Sequence, residues 1–395
     1  MDAVKAGPIQ IIGGGIGGLT VGIALLRRGF DIQIYEQAPS YAHVGGGHWL
    51  YANALHTLQR IDPEIARDMR ALGKGFDGFH FATPDLRTLF FESTSHYTPS
   101  PELAPIVIHR ANIIDQLARR IPPRRLHFSK RLERCTPDRL FFEDGTEVEA
   151  NLIIGADGIH SRARRDLLTR VPARFSGQVG LWGISDHQLP ADTGHYFTEL
   201  WSSGLRMGFT YVGNEGVYWF MVVRGDDIPT DPQLRKRFIL ERATPFPAEL
   251  VEAVQKTPAD VIHTNPLYDM APPRRWYTDT ACFLGDAVHA CTPNLGQGGC
   301  QAIEDALCLA EMLSAHDAPR DAFAAYQRAR FIKATSVVYL SRWLGNMAQL
   351  HGALARLRNL VVWLGPSWMP RPVLQWIMSV RDDYGGPRKP DTSLR

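Results

Sequence analysis

Several features that would settle a protein's class at once are scarce in this chain. Its five cysteines among 395 residues, Cys135, Cys282, Cys291, Cys300 and Cys308, are odd in number and form no Cys-x-x-Cys pair. That argues against a disulfide framework and leaves no ligand set for a metal, so a reduced, cytoplasmic setting is expected. Charge of either sign is nearly balanced, with a formal net charge of +2, which gives no electrostatic footprint for nucleic acid. No apolar run reaches the roughly 18 residues of a membrane span, so no transmembrane segment is expected. With a first apolar strand beginning near Pro8, no leader peptide is expected. The nearest thing to a long apolar stretch is Leu354 to Val380, broken by Arg356, Arg358, Pro366, Pro370 and Pro372. Short helices packed on the body, or on a second subunit of a homodimer, are expected there in preference to a membrane-surface contact.

What the chain does have is glycine in meaningful places. Pro8 to Ile12 reads as a buried strand, Gly13-Gly14-Gly15-Ile16-Gly17-Gly18 as a turn, Leu19 to Arg28 as a helix, and Asp31 to Tyr35 as a second strand ending at Glu36. In such a βαβ unit Gly13 permits the tight turn, Gly15 lets the backbone approach a pyrophosphate, and Gly18 allows helix and strand to pack closely. Glu36 falls where a carboxylate can accept from an adenosine ribose, and its charge disfavours a 2′-phosphate. FAD or NAD is therefore expected at this site. No second G-x-G-x-x-G follows, so one dinucleotide is held and any other must come and go.

Two further strand ends carry acids. Leu152 to Gly155 leads into Ala156-Asp157-Gly158, which sets Asp157 on the ligand side of an open α/β sheet. Phe283-Leu284-Gly285-Asp286 crosses a loop through Pro293 into Gly296-Gln297-Gly298-Gly299-Cys300-Gln301-Ala302-Ile303-Glu304-Asp305-Ala306. A helix start with no bulky side chain offers unpaired N–H donors and the positive end of the helix dipole to an anion or an electron-rich ring.

Together these three segments resemble the single-component flavoprotein aromatic hydroxylases, the p-hydroxybenzoate-hydroxylase-like or group A monooxygenases. The match runs in order from about Ile9 to Asp305. Gly-Gln-Gly-Gly-Cys-Gln-Ala-Ile-Glu-Asp-Ala is similar to the branch with urate, salicylate and hydroxynicotinate hydroxylases and zeaxanthin epoxidase. The resemblance implies that FAD is held by Gly13, Gly15, Gly18, Glu36, Gln37, Gly46, Arg110, Leu132, Asp157, Asp286, Pro293, Gly296, Gly298 and Gly299. Within that set Glu36 would take the adenosine ribose, Leu132 the adenine through its backbone, Arg110 the ribityl or pyrophosphate region and Asp286 the ribityl chain. Gly296 to Gly299 would lie beside the pyrimidine edge of the flavin. It also implies that NADH or NADPH reduces FAD transiently, that O2 forms a C4a-hydroperoxide, and that a small aromatic or heteroaromatic substrate is hydroxylated. A same-scaffold epoxidase or natural-product tailoring oxygenase is the alternative, and a non-catalytic flavin-binding protein the alternative of another class. The Trp-x-Trp-x-Ile-Pro segment of flavin halogenases is not matched by Leu181-Trp182-Gly183-Ile184-Ser185.

The fold expected is α/β: a Rossmann-like FAD-binding domain (1–75, 101–175 and 271–330) interleaved with an antiparallel-sheet substrate domain (76–100 and 176–270). C-terminal helices (331–395) follow. From Val179 to Val223 aromatic residues alternate as in paired strands, and Trp49, Trp201, Phe209, Tyr211 and Phe220 are expected to line the substrate pocket. Arg206 and Tyr218 match positions that urate-hydroxylase-like members use on a planar substrate. Straight pairing across a four-residue connection, Gly213 to Gly216, sets Val212 opposite Val217 and puts Arg206 and Tyr218 on opposite faces. A bulge would then be needed to join them, the other reading being an exposed Arg and a core Tyr. Val44 to Asn53 resembles the loop under the flavin, where His48 adds a candidate proton acceptor. His160 and His289 are expected to be structural.

Overall fold

A computed structural model describes residues 7–42, 45–189, 195–225, 227–366 and 368–384; Val44 of the loop noted above lies outside them. Five short strands, all but the last rich in buried apolar residues, run parallel under helices. In the order Ala281–Phe283, Ile153–Gly155, Ile9–Ile12, Ile32–Tyr35 and Leu126–His127, they form a five-stranded parallel sheet. The first crossover is the helix Ile16–Leu26, which starts three residues earlier than the apolar pattern suggested because Gly15 serves as its cap. The start is tight: Gly13 has φ +101°, and a Cβ on Gly18 would collide with the Gly13 carbonyl oxygen. On that same side lies the long buried helix Gly298–Ala315.

Seven longer strands make a second sheet, in the order His263–Met270, Ala173–Ser185, Gly216–Arg224, Leu205–Val212, Tyr196–Trp201, Gly78–Ala82 and Thr88–Ser93. All neighbours are antiparallel except Tyr196–Trp201 and Gly78–Ala82, which run parallel. One face packs on the helices Pro232–Ala243 and Ala248–Lys256 around Phe209, Trp219 and Met221. The other face joins the core of the parallel-sheet unit through Phe197, Val212 and Tyr218.

The hairpin corrects the expected register by one residue. Val212 pairs with Gly216, Tyr211 with Val217, Thr210 with Tyr218 and Arg206 with Val222. Gly216 belongs to the strand, not the loop, and only Gly213-Asn214-Glu215 connect the two strands. Two glycines at positive φ allow this, Gly213 at +51° and Gly216 at +118°. A one-residue shift moves every side chain to the other face, so Arg206 and Tyr218 share a face with no bulge.

The helices Pro319–Ala348, Gly352–Leu364 and Arg371–Met378 complete the fold. Phe323, Tyr326 and Val337 of the first are buried. The second packs on the body through Ala355, Arg358 and Val362, while its Leu354, Leu357, Leu360, Val361, Trp363 and Leu364 are exposed. Among the described residues no helix is long and apolar enough to cross a membrane.

A Cβ on Gly216 would meet the Ser185 carbonyl oxygen at a φ that L-residues avoid. Gly216→Ala should therefore cost about 1–3 kcal/mol, read as a lowered thermal midpoint, whereas Asn214→Ala at the loop tip should leave it nearly unchanged.

Candidate active site

At the first strand end, the Gly13 N–H donates to the Tyr35 carbonyl at 2.8 Å. No side chain caps the helix that follows, and a Cβ on Gly15 would meet nothing within 4 Å. The space in front of this helix start is therefore open to a ligand. Glu36 turns back toward it, its carboxylate accepting from the Gly14 N–H at 2.7 Å and the Ala38 N–H at 2.9 Å. Tyr41 donates to the Gly14 carbonyl at 2.8 Å. Gln37 is exposed beside Glu36, and Leu132 is buried at the start of a neighbouring strand.

Asp157 is engaged within the protein. It accepts from the Ser161 hydroxyl at 2.5 Å and the Ala163 N–H at 3.1 Å, capping the helix Arg162–Leu167. Burial pushes its carboxyl up, and these donors oppose the shift. The same short helix supplies Arg164, a residue the sequence did not bring forward. Fully buried, it donates to the carbonyls of Ala287 at 2.6 Å and of Ile159 and Val171 at 3.1 Å each. It thereby ties the middle strand end to the turn that carries Asp286.

At the third strand end, Gly285 takes φ +58° and Asp286–His289 makes one helical turn. The Asp286 side chain is solvent-accessible on the wall of a recess. The enclosing protein raises its carboxyl, against the pull of His289 and Arg110. Pro293–Leu295 forms a 3₁₀ turn, Gly296 closes it at φ +61°, and the helix Gly298–Ala315 begins. A Cβ on Gly296 would lie 3.0 Å from the Tyr51 hydroxyl and 3.5 Å from Trp49 Cβ, and one on Gly299 would collide with His48 Nε2. The bare helix start therefore faces the strand Gly47–Leu50. His48 Nε2 is buried and finds no hydrogen-bond partner among the described residues. Burial, aided by Arg110, lowers its imidazole to about 4, so the ring is neutral at ordinary pH.

Behind the glycines lies a dense polar network. Asp305 accepts from the Gly285 N–H at 3.0 Å, from His289 at 2.5 Å and from Arg330 at 2.8 Å. Burial alone would raise its carboxyl, but His289 and Arg330 hold it well below the usual range. Glu304 receives Arg330 at 2.5 Å, Lys333 at 2.9 Å and Asn53 at 2.5 Å. Gln301 joins the network through Arg330 at 2.7 Å, and Gln297 through Gln301 at 2.9 Å. His289 is thus structural, as expected, and Arg330 and Lys333 are additions that only the fold reveals.

The aromatic sheet face closes the other side. Tyr218 is buried against the glycines, a Cβ on Gly46 lying 2.7 Å from its ring. Burial raises its hydroxyl, so it keeps its proton. Trp49 meets Phe197 and Tyr218 edge-on at 5.2 and 5.8 Å, and Phe220 stacks on Phe197 at 6.1 Å. Arg206 is buried, which overturns the reading of an exposed Arg. It donates to Glu199 at 2.7 Å and to the Asn294 side chain, with its guanidinium 5.9 Å above Phe220. Asn294 in turn donates to the Ser341 carbonyl at 2.7 Å.

Three pocket expectations need correction. Phe209 and Tyr211 point to the opposite face, where Phe209 joins the helix-covered core and the Tyr211 hydroxyl accepts from the Leu189 N–H at 3.0 Å. Trp201 shares the site face but sits at its far end with Leu89 and Ala348, under the Arg358 guanidinium at 5.1 Å. For Phe209 and Tyr211 the physical reason is the strand period of two, which composition alone does not phase, and for Trp201 it is its place at the far end of its strand.

Residues 7–341 match the family described as "FAD binding domain". The chain belongs to that family. It is 33% identical over 351 residues to the aurachin C monooxygenase/isomerase of Stigmatella aurantiaca, covering 88% of this chain and 91% of that one. To the 6-methylsalicylate 1-monooxygenase atA of Aspergillus terreus it is 32% identical over 375 residues, covering 85% and 81%. Its fold is similar to that of Klebsiella pneumoniae HpxO crystallised with FAD and uric acid, with TM-score 0.86, 21% identity, and 95% and 98% of the two chains covered. The cofactor of this flavoprotein is FAD, and its relatives are FAD-dependent monooxygenases. The open space at Gly15, the orphaned His48 nitrogen and the bare start of the helix at Gly298 suit such a group.

Arg330→Met should leave two buried carboxylates short of a partner and cost about 3–5 kcal/mol. Purified variant should show a lower thermal midpoint and reduced bound flavin. For His48 the folded value lies below the unfolded one, so the unfolded state binds more protons between roughly pH 6.5 and 4. Stability should therefore drop as the pH is lowered from about 6.5 to about 4. In His48→Gln the fall should be shallower, as read by midpoints across a pH series.

Proposed function

We propose that this flavoprotein uses NADH or NADPH and O2 to place one oxygen atom on a small aromatic or heteroaromatic ring. One juxtaposition supports the reading above all others: a dry face of Trp49, Phe197, Tyr218 and Phe220 stands opposite a helix start bare of side chains, with a neutral His48 between. Bound FAD supplies the redox chemistry, accepting a hydride from the nicotinamide and activating O2. The residues of the chain do the rest. In this proposal Gly13, Gly15 and Gly18 receive the pyrophosphate at the first helix start, with Arg110 beside it. Glu36, Gln37 and the Leu132 backbone take the adenosine end. Asp286 and Pro293 hold the ribityl side. Gly46 lies under the ring, and the N–H groups from Gly296 to Gly299 favour negative charge at its pyrimidine edge. Asp157 acts indirectly, by fixing the helix that carries Arg164.

The aromatic face excludes water, which protects reactive oxygen species and strengthens every polar contact inside. Tyr218, protonated, can donate to an oxygen or ring nitrogen of the substrate. His48, neutral, can accept from a substrate hydroxyl. Arg206 has its charge answered by Glu199, so it is assigned as a positioning residue that sets the loop through Asn294. We further propose a cytoplasmic setting, in keeping with five unpaired cysteines, and the division into cofactor and substrate units given under Sequence analysis.

The test is oxidation of NADH and NADPH in the presence of phenols, N-heteroaromatic acids and purines, with O2 uptake and product mass followed together. A substrate-stimulated rate and a product heavier by one oxygen atom are expected. Stimulated oxidation that returns all the oxygen as hydrogen peroxide, with every candidate unchanged, would sink the proposal. Arg206→Met should lower kcat by roughly tenfold or more with a smaller change in KM, and Arg206→Lys should restore part of the loss.

A further inference from the structure

The helix Gly352–Leu364 is amphipathic with its faces reversed. Ala355 and Arg358 point inward and are buried. Leu357, Leu360, Val361 and Leu364, spaced as one helical stripe, point out, and Leu364 is 66% exposed. Trp363 in its last turn and Trp368 just beyond it are 58% and 62% exposed. A contiguous apolar patch of this kind calls for a covering partner. We propose that this patch docks the enzyme onto an anionic lipid bilayer surface.

Charge selects that occupant. Between Asp321 and Asp382 the chain contains no aspartate or glutamate, but eight arginines and lysines. Arg330 and Lys333 serve Glu304, Arg342 pairs with Asp269 at 2.8 Å, and Arg371 with Glu92 at 2.7 Å. Arg358 is buried against the carbonyls of Met347, Ala348 and Ser202. Of the other three, Arg328 is exposed on the preceding long helix, Arg381 is half-buried, and Arg356 lies on the outer side of the helix, exposed among the leucines. A second copy of the chain laid against this face would bring Arg356 toward its own equivalent, and the segment has no carboxylate to answer either charge. An anionic headgroup layer answers the cation and its acyl boundary covers the stripe. Tryptophan is suited to the boundary between the two, with an apolar body and one polar N–H. Because no helix among the described residues is long and apolar enough to span, the contact is one of lying on the surface.

The experiment is sedimentation of the full-length flavoprotein with phosphatidylcholine vesicles, with and without about one-third phosphatidylglycerol. Binding to the anionic vesicles, weakened by salt, is expected. Arg356→Gln should weaken it about fivefold, and Leu360→Ser with Trp363→Ser roughly tenfold or more. Both variants change exposed side chains, and unchanged bound flavin and thermal midpoint check that they fold. No binding to anionic vesicles at physiological salt would overturn the proposal. So would a soluble dimer that the same substitutions dissociate while vesicle binding is absent.

Discussion

Six cationic or neutral donors, the Gln301 amide among them, converge on two adjacent carboxylates, Glu304 and Asp305, one turn beyond the bare glycines. Arg330 reaches both, Lys333 and Asn53 reach Glu304, and His289 and the Gly285 N–H reach Asp305. A loop with three glycines has little side-chain packing of its own to hold it. Its shape is imposed from below, by charges whose burial is tolerable only while all of them are matched. Asp305 fixes the start of the Asp286 turn, and Glu304 fixes Gln301 and Asn53 beneath the helix start. The same pair thus sets both the Asp286 turn and the bare helix start. Such a network suits a loop that must present backbone N–H groups without moving, because an unmatched carboxylate penalises any other arrangement.

Much of this was legible in the sequence, and the illegible part has a common cause. Gly13, Gly18 and Gly296 were readable because a backbone with positive φ or near contact leaves only one residue type. The strand ends at Glu36, Asp157 and Asp286 were readable because an apolar run followed by an acid is a local pattern. Arg330 and Lys333 were not, since their partners are more than twenty residues away and an arginine in a helix is ordinary until its neighbour is known. Arg164 is similar: the Gly-x-Asp-Gly strand end drew attention to Asp157, and nothing in the letters says that the cation seven residues later is buried.

The sheet shows a different kind of loss. Its strands were found, but their phase depended on whether Gly216 belongs to the turn or to the ladder. That one glycine decides whether Arg206 and Tyr218 look at each other. Phe209 and Tyr211, attractive as aromatics, fall on the helix-covered face. In a period-two structure, composition can report that rings are present while saying nothing of which side they serve.

Arg358 joins two regions that lie far apart in the chain. Its guanidinium grips the end of the long helix through Met347 and Ala348, the turn after the strand Tyr196–Trp201 through Ser202, and the Trp201 ring. It works as a strut between the outward-facing apolar helix and the strand bearing Glu199, which holds Arg206. The stripe and the aromatic chamber are consequently locked at one mutual angle. Whatever surface the outer helix rests on, the chamber meets it in a single orientation.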